Sequence, residues 1–267
     1  MQVVVTGAGT ALGQSVLRAI VAHGTLRRGD GDPTPVRRII AVDRTQPAEL
    51  FLDSRIEYVR GDYEQSRFLA RMMGASTDSV FHLSALGAGV ALGPPLADLD
   101  TALLHSIDTT RALLDACRFQ TAPPKLVFAS TVDAGLPSGP WPQSTGGACV
   151  AMCELLLVEG SRRQIIDARC VRLPCLVGNR SCRQAFALEA LLADLVAGRA
   201  SPDAGEGLTP IAVGLPDEAA LALLEAHEQP RAADGMSGFT EVPGRRIRIG
   251  DLVAAAGAPS PRGLPGP

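Results

Sequence analysis

The stretch that decides the fold is Thr6-Gly7-Ala8-Gly9-Thr10-Ala11-Leu12-Gly13, near the start of the chain. It follows a β-branched run at 2–6 and precedes a segment at 11–23 whose apolar residues recur at helical spacing. A glycine-rich turn between a strand and a helix is where a dinucleotide pyrophosphate meets helix amides. The cofactor-binding candidates in this stretch are Gly7, Gly9, Thr10, Leu12 and Gly13. A tight turn without any ligand is the alternative.

Short apolar strands and helical segments alternate along the rest of the chain. Strands are predicted at 38–43, 56–60, 79–83, 125–130, 166–173, 211–213 and 246–249, and helices at 99–119, 148–162 and 185–197. A loop with Gly-Asp pairs and prolines is predicted at 24–35. The alternation predicts an α/β fold, a Rossmann-type doubly wound parallel sheet covered on both faces.

Two acidic residues follow predicted strands on the side of the glycine loop. Asp43 ends the second strand, where a carboxylate can bind the adenosine ribose hydroxyls and favour NAD. Arg44 follows directly and could instead meet the 2′-phosphate of NADP. Asp62 follows the third strand, where it could reach the adenine amino group or be a turn aspartate. We therefore expect NAD more than NADP.

Composition excludes several classes of partner. The 267 residues include 28 acidic and 25 basic ones, for a net charge of −3, without a Lys/Arg cluster that would grip nucleic acid. The most apolar stretch, 79–97, contains glycines, prolines and a histidine, so we expect no membrane span. Without a basic, apolar leader we expect a cytoplasmic protein whose six cysteines are reduced thiols.

A longer series of motifs carries a family resemblance. In order, the chain has TGAGTALG at 6–13, VD at 42–43, GD at 61–62, VFHLSA at 80–85, TTRALLDACR at 109–118, VFAST at 127–131 and VRLP at 171–174. Over about residues 1–256 it resembles the extended short-chain dehydrogenases/reductases of the NAD-dependent epimerase/dehydratase family. Within that family it is most similar to D-erythronate dehydrogenase-like proteins, which oxidise four-carbon sugar acids.

The resemblance implies an architecture. We expect a Rossmann domain over 1–174, a small, shortened C-terminal substrate lobe over 175–257 and a disordered Pro-rich tail over 258–267. Leu83, Ser84 and Ala85 would contact the cofactor. The family analogy also implies a homodimer packed through the helices near 99–119 and 148–162.

The same resemblance implies a mechanism. In the family a tyrosinate takes the substrate hydroxyl proton while hydride passes to the nicotinamide, and a lysine one helical turn later lowers the tyrosine pKa. A Ser or Thr after the fifth strand, here Thr131, hydrogen-bonds the substrate oxygen. The pair is needed because an unperturbed tyrosine is protonated near neutral pH.

This chain departs from the family at the decisive place. The tyrosine position falls on Gly146 and the lysine position on Val150. No tyrosine follows Tyr63, and the only lysine, Lys125, precedes the fifth strand. Two further differences are Thr10 at the middle glycine of the loop and Ser106 at the active-site asparagine. We expect weakened dinucleotide binding and the loss of tyrosinate-driven hydride transfer.

Other side chains could replace the missing base. Cys149 and Cys153 share one face of the helix. They could supply a thiolate beside the nicotinamide, or they could be two small core residues. Asp133 and His105 could also face the pocket or be exposed to solvent. We expect no metal site, because two cysteines at this spacing need further ligands that the sequence does not offer.

Three hypotheses follow. The first is a dinucleotide-binding protein with a non-redox or regulatory role, for which the missing pair argues. The second is an active NAD-dependent oxidoreductase or epimerase that acts on a small hydroxylated substrate with an unconventional base. The third is a scaffold without any nucleotide, which follows if Thr10 blocks the pyrophosphate.

Overall fold

The computed structural model places a seven-stranded sheet at the centre of the molecule. The structure describes residues 1–44, 50–62, 65–83, 103–135, 141–142, 145–176, 210–231 and 238–248. The strands are β1 (Gln2–Thr6), β2 (Thr25–Arg27), β3 (Pro33–Pro35), β4 (Arg38–Asp43), β5 (Ile56–Arg60), β6 (Ser79–His82), β7 (Lys125–Thr131), β8 (Asp167–Leu173), β9 (Cys175–Leu176), β10 (Pro210–Gly214), β11 (Gly238–Glu241) and β12 (Arg245–Arg248).

The helices connect these strands. They are α1 (Ala11–His23), α2 (Ser66–Met73), α3 (Thr109–Cys117), α4 (Thr145–Arg162) and α5 (Pro216–Glu228), with a π-helical turn (Leu104–Asp108) before α3 and a 3₁₀ turn (Val132–Ala134) after β7. None of the helices in the described part of the chain is long and apolar enough to cross a membrane.

The main sheet is parallel throughout, in the order β11-β8-β7-β6-β1-β4-β5. From β1 the chain builds outward through β4 and β5, then returns to the other side of β1 for β6, β7 and β8. This confirms the predicted Rossmann-type doubly wound fold. The order reverses between β1 and β6, so the crevice where such folds bind ligands lies at the carboxyl ends of these two strands.

Apolar side chains from alternating strand positions form a core on each face of the sheet. On one face, Val3 and Val5 of β1 pack in a cluster that includes residues of α1 and α5. On the other face, Val4 packs in a cluster that includes residues of α2, α3 and α4. Burial on both faces explains why the strands are continuous apolar runs in the sequence.

The segment at 24–35, predicted to be a loop, contains a β-hairpin instead. β2 and β3 pair antiparallel, with Leu26 opposite Thr34. Leu26 is fully buried and belongs to the core on the α1 face. The prediction was wrong because the prolines and Gly-Asp pairs that indicate a loop here flank or lie on short paired strands.

The part of the chain after residue 174 is divided between two sheets. β9, β10 and β12 form a separate three-stranded sheet. In contrast, α5 packs beside α1, and β11 extends the main sheet by pairing with β8. The predicted substrate lobe at 175–257 therefore contributes two elements to the Rossmann layers. The predicted helix at 185–197 and the tail at 258–267 lie outside the described residues.

Candidate cofactor and active site

The glycine loop connects β1 to α1 and has backbone geometry that only glycine permits at two places. Gly7 has a φ of +73°, in the left-handed region. A Cβ on Gly13 would lie 2.3 Å from the Gly7 carbonyl oxygen and 2.6 Å from Ala8 Cα. The helix thus passes against the loop as closely as dinucleotide-binding folds require.

Thr10 uses its side chain within the loop. Its Oγ1 accepts a hydrogen bond from the Gly13 amide at 3.0 Å and donates one to the Gly7 carbonyl at 2.8 Å. This is an N-cap, which satisfies one amide of the first helical turn. The Thr10 hydroxyl, which a glycine at this position would lack, therefore hydrogen-bonds the backbone of the loop itself.

The start of α1 retains capacity for an anion. The amides of Ala11 and Leu12 donate to no other group within the described ranges. The first turn of α1 carries no acidic side chain. Helix amides and the helix dipole attract phosphate groups. Together with the missing Cβ of Gly13, this loop fits the pyrophosphate of a dinucleotide.

Asp43 meets the glycine loop through a direct hydrogen bond. The Gly9 amide donates to Asp43 Oδ2 at 2.7 Å. β4 lies beside β1 in the sheet, so the carboxylate at the end of β4 comes next to the loop. A carboxylate can accept several hydrogen bonds, so Asp43 is placed to accept others from a ribose.

Arg44 and Asp62 form an ion pair beyond Asp43. Arg44 Nη2 lies 3.5 Å from Asp62 Oδ1, and both residues follow neighbouring strands, β4 and β5. Arg60 Nε donates to the Arg44 carbonyl at 3.1 Å. The guanidinium that could meet a 2′-phosphate therefore already faces a carboxylate.

Leu83, predicted to contact the cofactor, directly follows β6 and lies next to the start of the glycine loop. Its side chain is buried, and its amide donates to the Thr6 carbonyl at 3.2 Å. Ser84, Ala85 and the side chain of His105 lie outside the described residues.

Thr131 and Asp133 lie together at the carboxyl end of β7. The Asp133 amide donates to Thr131 Oγ1 at 3.2 Å, which caps the 3₁₀ turn. Burial raises the pKa of the Asp133 carboxyl above its ordinary value. Cys175, the first residue of β9, is close enough to be affected: burial first, and then the Asp133 charge, raises the pKa of its thiol to about 11. This end of the sheet thus carries a hydroxyl, a thiol and a carboxyl that holds its proton more tightly than usual.

The positions of the missing pair are filled by small or apolar residues. Gly146 and Val150 are buried on α4. Cys149 and Cys153 are free thiols on the same helix, and Cys149 is 2% exposed. Burial raises the pKa of the Cys153 thiol to about 12. The helix therefore brings no ionised side chain to these two positions.

Lys125, the only lysine, lies at the opposite edge of the sheet. It is the first residue of β7, whereas Thr131 is the last. Its Nζ donates to the carbonyls of Gly29 at 2.8 Å and His227 at 2.9 Å. The length of a strand thus separates the ammonium from the candidate site.

A buried ion pair beneath the candidate site was missed in the sequence. Glu154 on α4 accepts hydrogen bonds from Arg172 Nη2 at 2.6 Å, Arg172 Nε at 2.9 Å and Ser130 Oγ at 2.6 Å. The available signal was a glutamate four residues after Val150, on the same buried face of the helix. This pair ties α4 to β7 and β8 directly below Thr131.

Metal-ligand clusters do not occur among the residues with described placement, where no group of three or more His, Cys, Asp or Glu side chains could hold an ion.

Two curated relatives share much of the sequence, although no protein-family model matches the chain. The chain is 30% identical over 269 residues to D-erythronate dehydrogenase from Cupriavidus necator, which covers 96% of this chain and 81% of that protein. It is 29% identical over 185 residues to D-erythronate dehydrogenase from Haemophilus influenzae, which covers 66% of this chain and 55% of that protein.

Solved structures show the same fold. A nucleoside-diphosphate-sugar epimerase from Agrobacterium tumefaciens has a TM-score of 0.69 and 23% identity, covering 94% of this chain and 75% of its own. A double mutant of dTDP-glucose 4,6-dehydratase from Streptomyces venezuelae, solved with NAD bound, has a TM-score of 0.73 and 20% identity, covering 97% of this chain and 82% of its own.

Proposed function

The chain belongs to the NAD-dependent epimerase/dehydratase family and is related to the D-erythronate dehydrogenases, and on this premise we propose that it binds a nicotinamide dinucleotide without tyrosinate-driven hydride transfer. Its role is then a non-redox or regulatory one. The observation that carries this proposal is the contrast between a glycine loop that keeps Gly7 and Gly13 and a helix α4 with Gly146 and Val150 at the positions of the pair.

The glycine loop supports the binding half of the proposal. The amides of Ala11 and Leu12 would hold the pyrophosphate, and Asp43 would accept hydrogen bonds from the adenosine ribose. NAD is favoured over NADP because the Asp43 carboxylate would repel a 2′-phosphate. The neighbouring cation, Arg44, faces Asp62 at 3.5 Å and would have to leave that carboxylate to compensate.

The loss of the pair supports the other half. When bound, the dinucleotide supplies a hydride acceptor or donor. The protein must supply a group that takes the hydroxyl proton, and no tyrosine follows Tyr63 in the chain. Lys125 cannot assist, because its ammonium is held by two backbone carbonyls at the far edge of the sheet.

A second function is favoured by Asp133. Its side chain is exposed to solvent, and desolvation raises the pKa of its carboxyl, which brings its proton affinity closer to that of a general base at neutral pH. Thr131 stands two residues away, at the position that binds the substrate oxygen in the resemblance. In this alternative, Asp133 takes the proton and the protein remains an oxidoreductase or epimerase. Cys149 is a weaker candidate because its thiol is buried.

An apolar stripe on α4 supports self-association. Met152, Leu155 and Leu156 are exposed on this helix, at 43%, 69% and 37%. Exposed leucines in one helical turn are typical of a surface that another chain covers. We propose that the helices 109–117 and 145–162 pack against a second copy to form a homodimer, and a Leu155→Glu variant should sediment as a monomer.

The deciding experiment is calorimetric titration of the protein with NAD, NADH, NADP and NADPH. A parallel absorbance assay follows nicotinamide reduction with D-erythronate and related sugar acids. Binding of NAD without turnover is the expected result. The matched variant is Asp133→Asn, which keeps the shape of the side chain and removes its basicity.

Each other outcome selects a different function. Turnover that Asp133→Asn abolishes, while NAD affinity is unchanged, would replace the proposal with the active oxidoreductase. Turnover that survives this variant would contradict the non-redox proposal and would show that the active oxidoreductase uses a base other than Asp133. Failure to bind any of the four dinucleotides would leave a scaffold whose glycine loop is closed by Thr10.

A further inference from the structure

A chain of buried side-chain hydrogen bonds crosses the sheet from the glycine loop to the π-helical turn. Thr6 Oγ1 lies 2.8 Å from His82 Nδ1, and His82 Nε2 lies 3.0 Å from Thr110 Oγ1. Thr110 Oγ1 donates in turn to the Ser106 carbonyl at 2.7 Å. All four residues are buried, so water does not compete for these bonds.

This series of hydrogen bonds joins the elements that flank the predicted crevice. Thr6 ends β1 and directly precedes Gly7, the first glycine of the loop. His82 ends β6, the strand on the other side of the switch point. Thr110 lies in the first turn of α3, and Ser106 occupies the position that carries an asparagine in the family resemblance.

Two threonine hydroxyls stabilise the π-helical turn. In a regular α-helix the Ser106 carbonyl would accept from the Thr110 amide. Here it accepts from the Thr109 amide, from Thr109 Oγ1 at 3.0 Å and from Thr110 Oγ1. Such back-bonding by threonine bends helices, and π-helical turns occur frequently at functional sites.

The hydrogen bonds have a defined direction. The single hydroxyl proton of Thr110 is used on the Ser106 carbonyl, so Thr110 Oγ1 must accept from His82 Nε2–H. Burial lowers the pKa of His82 to about 3, so the ring is neutral and its Nδ1 accepts from the Thr6 hydroxyl. The titratable group on the other side of Thr110 is Cys153, whose thiol stays protonated because burial raises its pKa to about 12.

We infer that His82 is a positioning residue that holds the dinucleotide loop and the Ser106 turn in one fixed arrangement. The inference rests on the proposed function, since it assigns the loop to a dinucleotide. His82 acts through Thr6 and Thr110 and touches no reacting atom itself. Breaking its bond to Thr110 should therefore loosen the glycine loop on the other side of the ring.

The test uses three variants of the full chain. Thr110→Val removes the hydroxyl that accepts from His82, and Thr110→Ser restores it. Thr109→Val is the matched control, because it removes a donor to the same Ser106 carbonyl from an adjacent buried threonine without touching His82. Unfolding midpoints in urea show how much stability each variant loses.

The first readout is the ring of His82 in ¹⁵N-detected long-range NMR spectra. Wild type, Thr110→Ser and Thr109→Val should show the neutral ring with its proton on Nε2, unchanged from pH 5 to pH 8. Thr110→Val should shift the proton toward Nδ1 or mix the two tautomers. A wild-type ring that is protonated on Nδ1, or that titrates near its ordinary pKa, would overturn the inference.

The second readout is the glycine loop. Amide exchange of Gly9 in the ligand-free protein should quicken by about threefold to tenfold in Thr110→Val, and NAD affinity should fall by a similar factor, with both restored by Thr110→Ser. Equal effects from Thr109→Val would show a packing effect and overturn the inference. If wild type binds no dinucleotide, the proposed function fails, whereas the Gly9 exchange rates still decide whether His82 couples the two elements.

Discussion

The amino edge of the seven-stranded sheet, where its strands begin, and the carboxyl edge, where they end, hold their polar groups in different ways. At the amino edge, the buried side chains of Lys125, Ser79 and His227 form hydrogen bonds among themselves, with the hairpin or with the end of α5. At the carboxyl edge, Asp133 is exposed to solvent and its carboxyl has a raised pKa, and helix amides at the start of α1 keep capacity for a ligand. The polar groups of the amino edge stabilise the fold, whereas those of the carboxyl edge are suited to binding a ligand.

A trio at the amino edge makes this difference plain. Ser79 Oγ lies 2.7 Å from His227 Nε2, and His227 Nδ1 lies 3.0 Å from Glu228 Oε1. The order of atoms matches that of a hydrolytic triad. However, Ser79 and His227 are both 0% exposed, so no substrate reaches the hydroxyl. Side chains of these types could be catalytic where substrate reaches them, but here, where they are buried, they are structural.

The largest expected effect comes from removing the ammonium at the amino edge. Lys125→Met deprives the Gly29 and His227 carbonyls of their donor and should lower the free energy of unfolding by about 2–4 kcal/mol. The measurement is urea unfolding followed by circular dichroism. Arg38→Ala, which breaks an exposed ion pair with Glu57, is the control and should cost less than about 1 kcal/mol. Equal stability of the two variants would contradict the structural role assigned to the buried Lys125 ammonium.

Lowering the pH should weaken the fold through both buried histidines. The pKa of His82 is about 3 in the folded protein and 6.5 ordinarily, so the unfolded chain takes up the proton first as pH falls. Stability should therefore fall by about 2 kcal/mol between pH 7 and pH 5 from His82 alone. Burial also lowers the pKa of His227, but the hydrogen bond to Glu228 opposes this.

The two histidines can be separated by substitution. Urea midpoints at pH 7 and pH 5 should differ less in His82→Gln than in His227→Gln, because the ring nitrogens of His82 hydrogen-bond the hydroxyls of Thr6 and Thr110, whereas the hydrogen bond to Glu228 opposes the lowering of the His227 pKa. His23→Gln, on an exposed side chain, is the control. A steeper pH dependence in His82→Gln would contradict the assignment of that residue as a neutral ring.

At the carboxyl edge, Asp43→Asn should affect binding rather than folding. The amide oxygen can still accept from Gly9, but the charge that favours the ribose hydroxyls is lost, so NAD affinity should fall about tenfold. NADP affinity should fall less or rise, because repulsion of the 2′-phosphate disappears. Calorimetry on both dinucleotides measures this. Unchanged NAD affinity would separate Asp43 from the cofactor.

The smallest expected effect has the opposite sign. Asp133→Asn removes a carboxylate whose ionisation is opposed by desolvation, so the free energy of unfolding at pH 7 should rise slightly, by less than about 1 kcal/mol because solvent screens this exposed side chain. Urea unfolding at pH 7 is the measurement. A loss of stability instead would show that Asp133 is a structural group like those of the amino edge.

Local patterns predicted the parts of the fold that depend on local physics. Strands β1, β4, β6, β7 and β8 read as apolar runs because both of their faces are buried, and Gly7 and Gly13 stand where a tight turn and close packing allow no side chain. Asp43, at the end of β4, was predicted as a site residue from the same strand pattern, whereas Thr131, at the end of β7, was predicted from the family resemblance.

Contacts between distant segments were beyond the sequence patterns. Phe239 of β11 pairs with Cys170 of β8, and nothing near either residue indicates the other. The partners of Lys125 lie 96 and 102 residues away in the chain. The inward turn of Thr10 is a choice of rotamer, which the sequence around it leaves open. These features depend on packing across the whole sheet.

The burial of Lys125 has a practical consequence for labelling. The chain contains no other lysine, and the amino-terminal amine of Met1 is exposed where it donates to Pro35. An amine-reactive reagent should therefore add one label to the folded protein, at its amino terminus. A second label, on Lys125, becomes possible only when the amino edge of the sheet opens. Intact-mass spectrometry of labelled samples would therefore give the fraction of molecules in which that edge has opened.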